Sequence, residues 1–355
     1  MLKFILKSFF GRERLSGYNL PDLKRVLIVR QHNQLGDLII STPLPVMIKE
    51  YYPGCEIFIL LSTQNFKAYT NNPYISGSFV YDKNKLKNFS YIRELFRFLR
   101  RGYDLTVVPS ITSLSFTSNF LAAISKANIK VGPASLNGEI NDFGFFFDYP
   151  IDLDWRSNDE IHAAERTNDI LKPFGITTNY LKPVIKFSEK ETEEARQFLQ
   201  LLPGDKSAPV IGIHPGAGKI QNRWNAENFA NLIEKLISNF DGRIFLSKGG
   251  SGDEEVILKI SEILGFTPTV FDRPGMPLLA ALIEKCDLFI TNDTGPMHAA
   301  ATTNSPVISL FGPTNHKMWA PTGDNKVTIY KGVDINLITV EEVFDACEKL
   351  LVKRS

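Results

Sequence analysis

Residues 25–37 read RVLIVRQHNQLGD, and residues 210–219 read VIGIHPGAGK. Each is an apolar run of strand length that passes into a glycine-containing loop and then a helix-like pattern. Working outward, the first half holds strand-like runs at 25–31, 56–61, 104–109 and 128–132. The second half holds them at 209–214, 243–247, 287–291 and 306–311. Helical periodicity fills 88–101, 225–239, 252–264 and 276–285. Strands that alternate with helices are βαβ units and predict a parallel sheet. The strands are apolar on both faces, as a sheet covered by helices on both sides requires. The pattern occurs twice, separated by the Pro-, Gly- and polar-rich stretch LKPFGITTNYLKPV at 171–184. The sequence therefore predicts an α/β protein of two Rossmann-like, doubly wound parallel-sheet domains facing a central cleft. The first domain is placed at 1–178 and the second at 179–337, with a C-terminal helix at 338–355 able to pack back on the first.

The chain's 355 residues fit two domains, at roughly 100–200 residues each. Its hydrophobic fraction of 43% and charged fraction of 22% are those of an ordinary globular protein. Forty Lys and Arg against 39 Asp and Glu give a net charge of +1. That argues against a nucleic-acid binder relying on phosphate neutralisation and leaves open a local basic patch. No apolar stretch approaches the roughly 20 residues of a membrane span. Cys55, Cys286 and Cys347 lie far apart, without a CxxC or a His cluster. This speaks against a disulfide scaffold or a structural zinc site and fits a reducing compartment.

Residues 1–14, MLKFILKSFFGRER, place Leu2, Ile5, Phe9 and Phe10 on one helical face, with Lys3, Lys7, Arg12 and Arg14 elsewhere. Lysines interrupt the apolar residues and no small-residue cleavage site follows, so the segment does not read as a signal peptide. It reads either as a basic amphipathic helix on an anionic membrane surface or as a helix packed on its domain.

In open parallel sheets, ligands bind beyond the carboxyl ends of the strands. Those positions hold Gly36-Asp37, the loop His214–Lys219, SKGGSG at 247–252, NDTGPMH at 292–298 and LFGPT at 310–314. Two phosphate fingerprints are absent. GAG at 216–218 lacks the third glycine of GxGxxG. Gly212 to Lys219 is one residue too long for a P-loop, with Ile220 where Ser or Thr would hold magnesium. A nicotinamide dehydrogenase and a P-loop NTPase are thereby demoted. Asp152-Leu-Asp154 forms a D-x-D, but without a convincing strand before it, and reads as surface charge.

In the 292–298 loop, Asp293 or Thr294 can cap the following helix and Pro296 suits its first turn. The free N–H groups and dipole there suit a diphosphate. His298, one turn in, can donate to a phosphate oxygen. The same residues also read as a well-capped structural helix. Asp37, at the start of a helix, is placed where a carboxylate is favoured. It reads as a capping Asp or as a general base facing the second domain.

Taken together, these motifs resemble glycosyltransferase family 9, the ADP-heptose:lipopolysaccharide heptosyltransferase family, over about residues 25–350. The first signature is Arg30, Gly36, Asp37 and Pro43, followed by YPG at 52–54. The second is His214–Ala217 with Trp224 and ENFA at 227–230. The third, and most specific, is LLAALIEKCDLFITNDTGPMHAAA…SPVISLFGPT at 278–314. HAAER at 162–166 is similar to a helix common in the family.

The resemblance implies a GT-B fold and an inverting sugar transfer, with Asp37 as the base that deprotonates the acceptor hydroxyl. Arg30 and Gly36 fall on the acceptor side, together with loops around 63–72 and 110–120. Asn292, Asp293, Thr294, Gly295 and His298 match the donor loop. Gly216, Lys219, Arg223 and Thr314, with the main chain around Gly312, complete the implied donor cleft. An acidic residue after the 247–252 loop would hold the ribose; Asp253, Glu254 and Glu255 are the candidates, with Glu254 taken for the donor set. No metal and no cofactor is implied, because a helix N-terminus and basic side chains offset the leaving-group charge.

The implied partners are a nucleotide-sugar, ADP-heptose first, and a lipopolysaccharide-core or related glycolipid acceptor, with no nucleic acid. The implied location is cytoplasmic, peripheral on the cytoplasmic face of the inner membrane, with residues 1–14 as the contact. Three departures stand out. Asn222 replaces the family's Lys, Asn225 replaces a Pro, and His316 stands where Pro is common. Arg223 or Lys219 is left to supply the diphosphate's counter-charge, or the donor differs. The competing readings are another nucleotide-hexose donor, a non-catalytic nucleotide-sugar-binding assembly protein, and an epimerase of the same fold.

Overall fold

The computed structural model describes residues 2–31, 35–64, 66–69, 71–272 and 275–352. Parts of the loops singled out above, at 32–34, 65, 70 and 273–274, lie outside that set, as do 353–355. The chain divides into two compact units, Met1–Val184 and Ile185–Ser355.

The strands of the first unit are β1 (Arg25–Arg30), β2 (Glu56–Ser62), β3 (Gly77–Tyr81), β4 (Tyr103–Val107), β5 (Ala127–Leu136), β6 (Glu139–Ile140) and β7 (Tyr149–Leu153). They form one sheet in the order β3-β2-β1-β4-β5-β6, with β7 also pairing β5. All pairs are parallel except β5 with β6. Its helices are α1 (Leu2–Phe10), α2 (Leu35–Ile40), α3 (Pro43–Tyr51), α4 (Phe89–Leu99), α5 (Phe116–Ile124) and α6 (Ala163–Asn168). β1 and β2 are buried on both faces beyond their first residue, so helices have to cover both sides. One face packs Leu27, Val29, Phe58 and Leu60 against Leu95, Phe98 and Leu99 of α4 and Leu121 and Ala122 of α5.

The second unit carries β8 (Val210–His214), β9 (Arg243–Ser247), β10 (Thr269–Phe271), β11 (Leu288–Asn292), β12 (Val307–Phe311) and β13 (Lys326–Tyr330). They form an all-parallel sheet in the order β10-β9-β8-β11-β12-β13. Its helices are α7 (Glu189–Gln200), α8 (Ala226–Phe240), α9 (Ser251–Leu264), α10 (Met276–Ile283), α11 (Gly295–Ala301), α12 (His316–Trp319) and α13 (Val340–Val352). Local signals set the helix ends. A capping box of Ser188 and Glu191 starts α7. The Asn225 side chain caps α8 by accepting from Asn228 N at 2.8 Å. Gly265, at φ 72°, ends α9.

Four expectations change. The division falls after Val184 rather than after 178, because the intervening segment is tied to the first unit. The Tyr51 hydroxyl donates to Gly175 O at 3.1 Å, and Val184 N donates to Thr42 Oγ1 at 2.6 Å. The C-terminal helix belongs to the second unit: Val343, Cys347, Leu350 and Leu351 of α13 lie in one core with Phe229, Leu232 and Leu236 of α8. The Asp152-Leu-Asp154 motif does lie at the end of a strand, β7, masked in the sequence by Pro150 and Asp152. Both carboxylates are exposed and locally paired, Asp152 with Ser135 Oγ at 2.9 Å and Asp154 with Arg156. Finally, Phe9 and Phe10 do not share a face. Phe10 packs edge-on to Phe120 at 5.8 Å, while Phe9 is 79% exposed.

Candidate functional site

Both sheets reverse their strand order beside the first strand of the unit, between β1 and β4 and between β8 and β11. That switch point is where a parallel sheet leaves a crevice for ligands. In the first unit the crevice holds Asp37. It sits in the first turn of α2, immediately after Gly36, and is buried. The Thr112 hydroxyl, from the loop after β4, donates to Asp37 Oδ2 at 3.0 Å. Arg30, the last residue of β1, brings Nη2 to 3.7 Å from the same oxygen. Burial pushes the Asp37 carboxyl above the usual carboxylate range, and Arg30 and Thr112 pull the other way.

Arg30 is itself enclosed, and burial lowers its pKa against the pull of Asp37 and Tyr69. Its Nε and Nη2 have no hydrogen-bond partner among the described residues. The Tyr69 hydroxyl beside it is pushed up to about 12 by burial. Thus the 110–120 and 63–72 loops each supply a residue, Thr112 and Tyr69, to the surroundings of the Arg30–Asp37 pair. Neither was named from the sequence.

In the second unit the crevice is built from four loops. Asn292, at the end of β11, ties the first of them: its Nδ2 donates to Pro215 O at 2.9 Å and Gly216 O at 3.2 Å, and its Oδ1 accepts from Trp224 N at 3.3 Å. Trp224 is fully buried and donates Nε1–H to Ile338 O at 2.9 Å, ahead of α13. Arg223 Nη2 donates to Ala217 O at 3.0 Å, closing the loop that carries Lys219.

Asn222 is buried and joins two other loops. Its Nδ2 donates to Asp293 Oδ2 at 2.8 Å and to Thr314 Oγ1 at 3.0 Å. Burial raises the Asp293 carboxyl pKa, opposed by Thr314 and by the exposed cation of Lys219. Asp293 therefore faces this network rather than capping α11. Thr294 occupies the N-cap position but makes no side-chain capping bond. Gly295 opens the helix, and an added Cβ would meet Met276 Cε at 3.5 Å. His298 is buried with its ring 6.0 Å from that of Trp319.

Among the acidic candidates after the Gly-rich loop, the structure separates Asp253 from Glu254. Asp253 is buried and its Oδ2 accepts from Gly249 N at 2.8 Å and Gly250 N at 2.9 Å. It also lies 4.0 Å from His214 Nε2. Glu254, taken for the donor set from the sequence, meets Lys248 Nζ at 3.2 Å, which is also 3.1 Å from Asp272. Burial lowers the His214 pKa, with Asp253 opposing. His214, Ser247, Lys248, Phe271, Met276 and Leu279 enclose much of a cavity of about 330 Å³. Its lining mixes apolar side chains with polar and charged ones and includes Pro296 of α11.

Two parallel-sheet units, each with a polar crevice at the switch point of its sheet, make up the GT-B fold. The sequence profile of glycosyltransferase family 9 (heptosyltransferase) matches residues 92–339, and the chain belongs to that family and is a glycosyltransferase. Lipopolysaccharide heptosyltransferase 3 of Escherichia coli K12 is 26% identical over 347 residues, spanning 89% of this chain and 95% of that protein. The family 9 glycosyl transferase from Veillonella parvula superposes with a TM-score of 0.81 at 24% identity, covering 94% of this chain and 99% of its own. The E. coli ADP-heptose lps heptosyltransferase II superposes at 0.74 with 22% identity, covering 93% and 99%.

Proposed function

We propose that the chain transfers heptose from ADP-heptose to a lipopolysaccharide-core or related surface glycolipid, with inversion and without a metal. The observation that carries the chemistry is Asp37. It is a buried carboxylate with a raised pKa, held by Thr112 and Arg30 at the switch point of its sheet. Such a group takes up a proton more readily than an exposed carboxylate does. In the reaction, Asp37 accepts the proton of the acceptor hydroxyl as that oxygen attacks the anomeric carbon. The bond from that carbon to the diphosphate breaks, and the nucleoside diphosphate leaves with the bonding pair. The start of α11, with Lys219 and Arg223, offsets its charge.

The names of the relatives support the donor and acceptor: one is a lipopolysaccharide heptosyltransferase, another an ADP-heptose lps heptosyltransferase. Among the described residues no helix is long and apolar enough to cross a membrane. A glycolipid acceptor places the protein at the cytoplasmic face of the inner membrane, with residues 1–14 as one contact. Asp37→Asn tests the base: ADP binding is retained and transfer is lost, whereas transfer at the unaltered rate refutes the assignment. Asn222 favours one second reading, a different nucleotide-sugar, because it withholds the positive charge the family places there. Thermal shifts with ADP, UDP, GDP and CMP decide between them. Stabilisation by ADP alone supports heptose; stabilisation by UDP or GDP replaces the donor and keeps the fold.

A further inference from the structure

Away from both crevices, the first unit carries an unusual charge pattern. Residues 83–101 contain seven Lys and Arg and one acid, Glu94, in a chain whose net charge is +1. On α4 the spacing 89, 93, 96, 97, 100 puts Phe89, Arg93, Phe96, Arg97 and Arg100 on one outward face. The opposite face, Leu95, Phe98 and Leu99, is the buried one. No carboxylate lies on the outward face, and Phe89 is 80% exposed and Phe96 43%. Among the described residues, no side-chain hydrogen bond or ion pair holds the three arginines.

At the end of α4 this face runs into a groove of about 490 Å³ between Phe10, Phe96 and Phe120, rimmed by Arg100 and Lys126. Two further cations line it but are already engaged. Arg12 binds the Asp148 carboxylate at 2.9 Å, and Lys130 donates to Ala123 O. The groove lies at the first residue of β5, the amino edge of a sheet whose carboxyl edge holds Asp37. It is therefore no extension of the crevice. α1 ends in the same groove at Phe10 and leaves Phe4 76% and Phe9 79% exposed.

We propose that the outward face of α4 and the groove at its end are a docking surface for an anionic phospholipid bilayer. Its phenylalanines enter between the headgroups and its arginines pair with lipid phosphates. The charge is complementary to an anionic leaflet, and aromatic residues interleaved with cations match the interfacial belt of a surface-bound helix. Phe4, Phe9 and Phe89 project singly, each more than three-quarters exposed, as inserting side chains do. A stacking platform for nucleic-acid bases would instead line rings along a channel. The surface joins Phe4, Phe9 and Phe10 of α1 to the outward face of α4, so it deepens the membrane placement proposed above, and it stands whatever the donor proves to be.

The test uses the full chain and vesicles of equal parts phosphatidylglycerol and phosphatidylcholine, against phosphatidylcholine alone, in a sedimentation assay. Two variants leave α1 intact: R93Q/R97Q/R100Q and F89S/F96S. The wild type is expected on the anionic vesicles only, with binding that weakens as salt rises. Each basic residue near an anionic surface contributes roughly a fivefold factor in partitioning. The triple variant then loses on the order of 100-fold, and the double variant also loses binding. Unchanged thermal melts for both variants exclude unfolding as the cause. Three results overturn the proposal: a wild type that stays in solution, both variants binding as the wild type does, or F89S/F96S unaffected with heparin displacing the protein. The last would mark a general polyanion site.

Discussion

Gly216→Ala has the most sharply defined consequence. A Cβ on Gly216 would lie 1.9 Å from Asp253 Oδ1 and 2.3 Å from its Cγ. Gly216 does not sit in the left-handed region, so the cost is the contact and not the backbone. The contact is severe because Asp253 is fixed: it is 6% exposed and its other oxygen holds Gly249 N and Gly250 N. Hydrogen bonds to a charged group contribute roughly 1.5–3 kcal/mol each. Displacing the carboxylate from both bonds costs roughly 3–6 kcal/mol, and partial relaxation of the Gly-rich loop leaves about 3 kcal/mol. For a unit of this size that lowers Tm by roughly 6–12 °C. The same displacement opens the loop beside the His214 cavity, so ADP binding weakens as well.

The assay is thermal unfolding followed by ADP calorimetry on Gly216→Ala, Asp253→Ser and the double variant. In the Asp253→Ser background the added methyl has room, so Gly216→Ala costs little more there. The resulting coupling should exceed 1 kcal/mol, which is the range for residues in contact. A Gly216→Ala protein that melts within about 2 °C of wild type, or two variants whose effects simply add, would refute the reasoning.

Thr112→Val removes the hydrogen bond that opposes the rise in the Asp37 pKa. A base works only when deprotonated, so the acidic limb of the transfer rate moves to higher pH; a limb that stays in place argues against Asp37 as the titrating group. His214 has a folded-state pKa below its ordinary value. The unfolded chain therefore takes up a proton that the folded one refuses, and the second unit loses stability as pH falls below about 6.5. His214→Gln should flatten that part of a Tm-against-pH curve. Lys219→Ala, at an exposed position, should leave Tm unchanged and raise the ADP Kd roughly tenfold; an unaltered Kd removes Lys219 as the diphosphate cation. Leu350→Ala, in the core shared by α13 and α8, should cost about 2–5 kcal/mol and lower the ADP-stabilised transition, which checks the assignment of α13 to the second unit.

The strands legible in the sequence are those buried on both faces, such as VLIV in β1 and LFIT in β11, because burial there demands an unbroken apolar run. β3, β7 and β13 escaped notice for the opposite reason. GSFVY and KVTIY belong to sheet-edge strands that are largely half-exposed, and YPIDL carries a Pro and an Asp. The loops beyond the strand ends were legible because glycines and prolines mark them directly. The roles within them were not. Sequence gives no direction to a side chain on the first turn of a helix. Asp253 and Glu254 are therefore equivalent on paper, although one folds inward onto Gly249 and Gly250 and the other outward onto Lys248. Thr112 lies 75 positions from Asp37, and only the parallel pairing of β1 with β4 brings them together. The return of the final helix to the first domain was a topological expectation; the apolar stripe of Val343, Cys347 and Leu350 finds its partner on α8 instead.

The chain's three tryptophans are distributed so that the protein reports on itself. Trp155 lies in the first unit under the Arg166 guanidinium at 5.1 Å, and Trp224 is sealed in the second core. Trp319 stands edge-on to the imidazole of His298 on α11. Its emission is thus a built-in optical gauge of that helix: an anion settling beside His298 changes the field on the indole, and the difference between the wild type and Trp319→Phe isolates that signal from the other two fluorophores. Binding of the proposed nucleotide donor can be followed on the unlabelled chain, with Trp319→Phe as the blank.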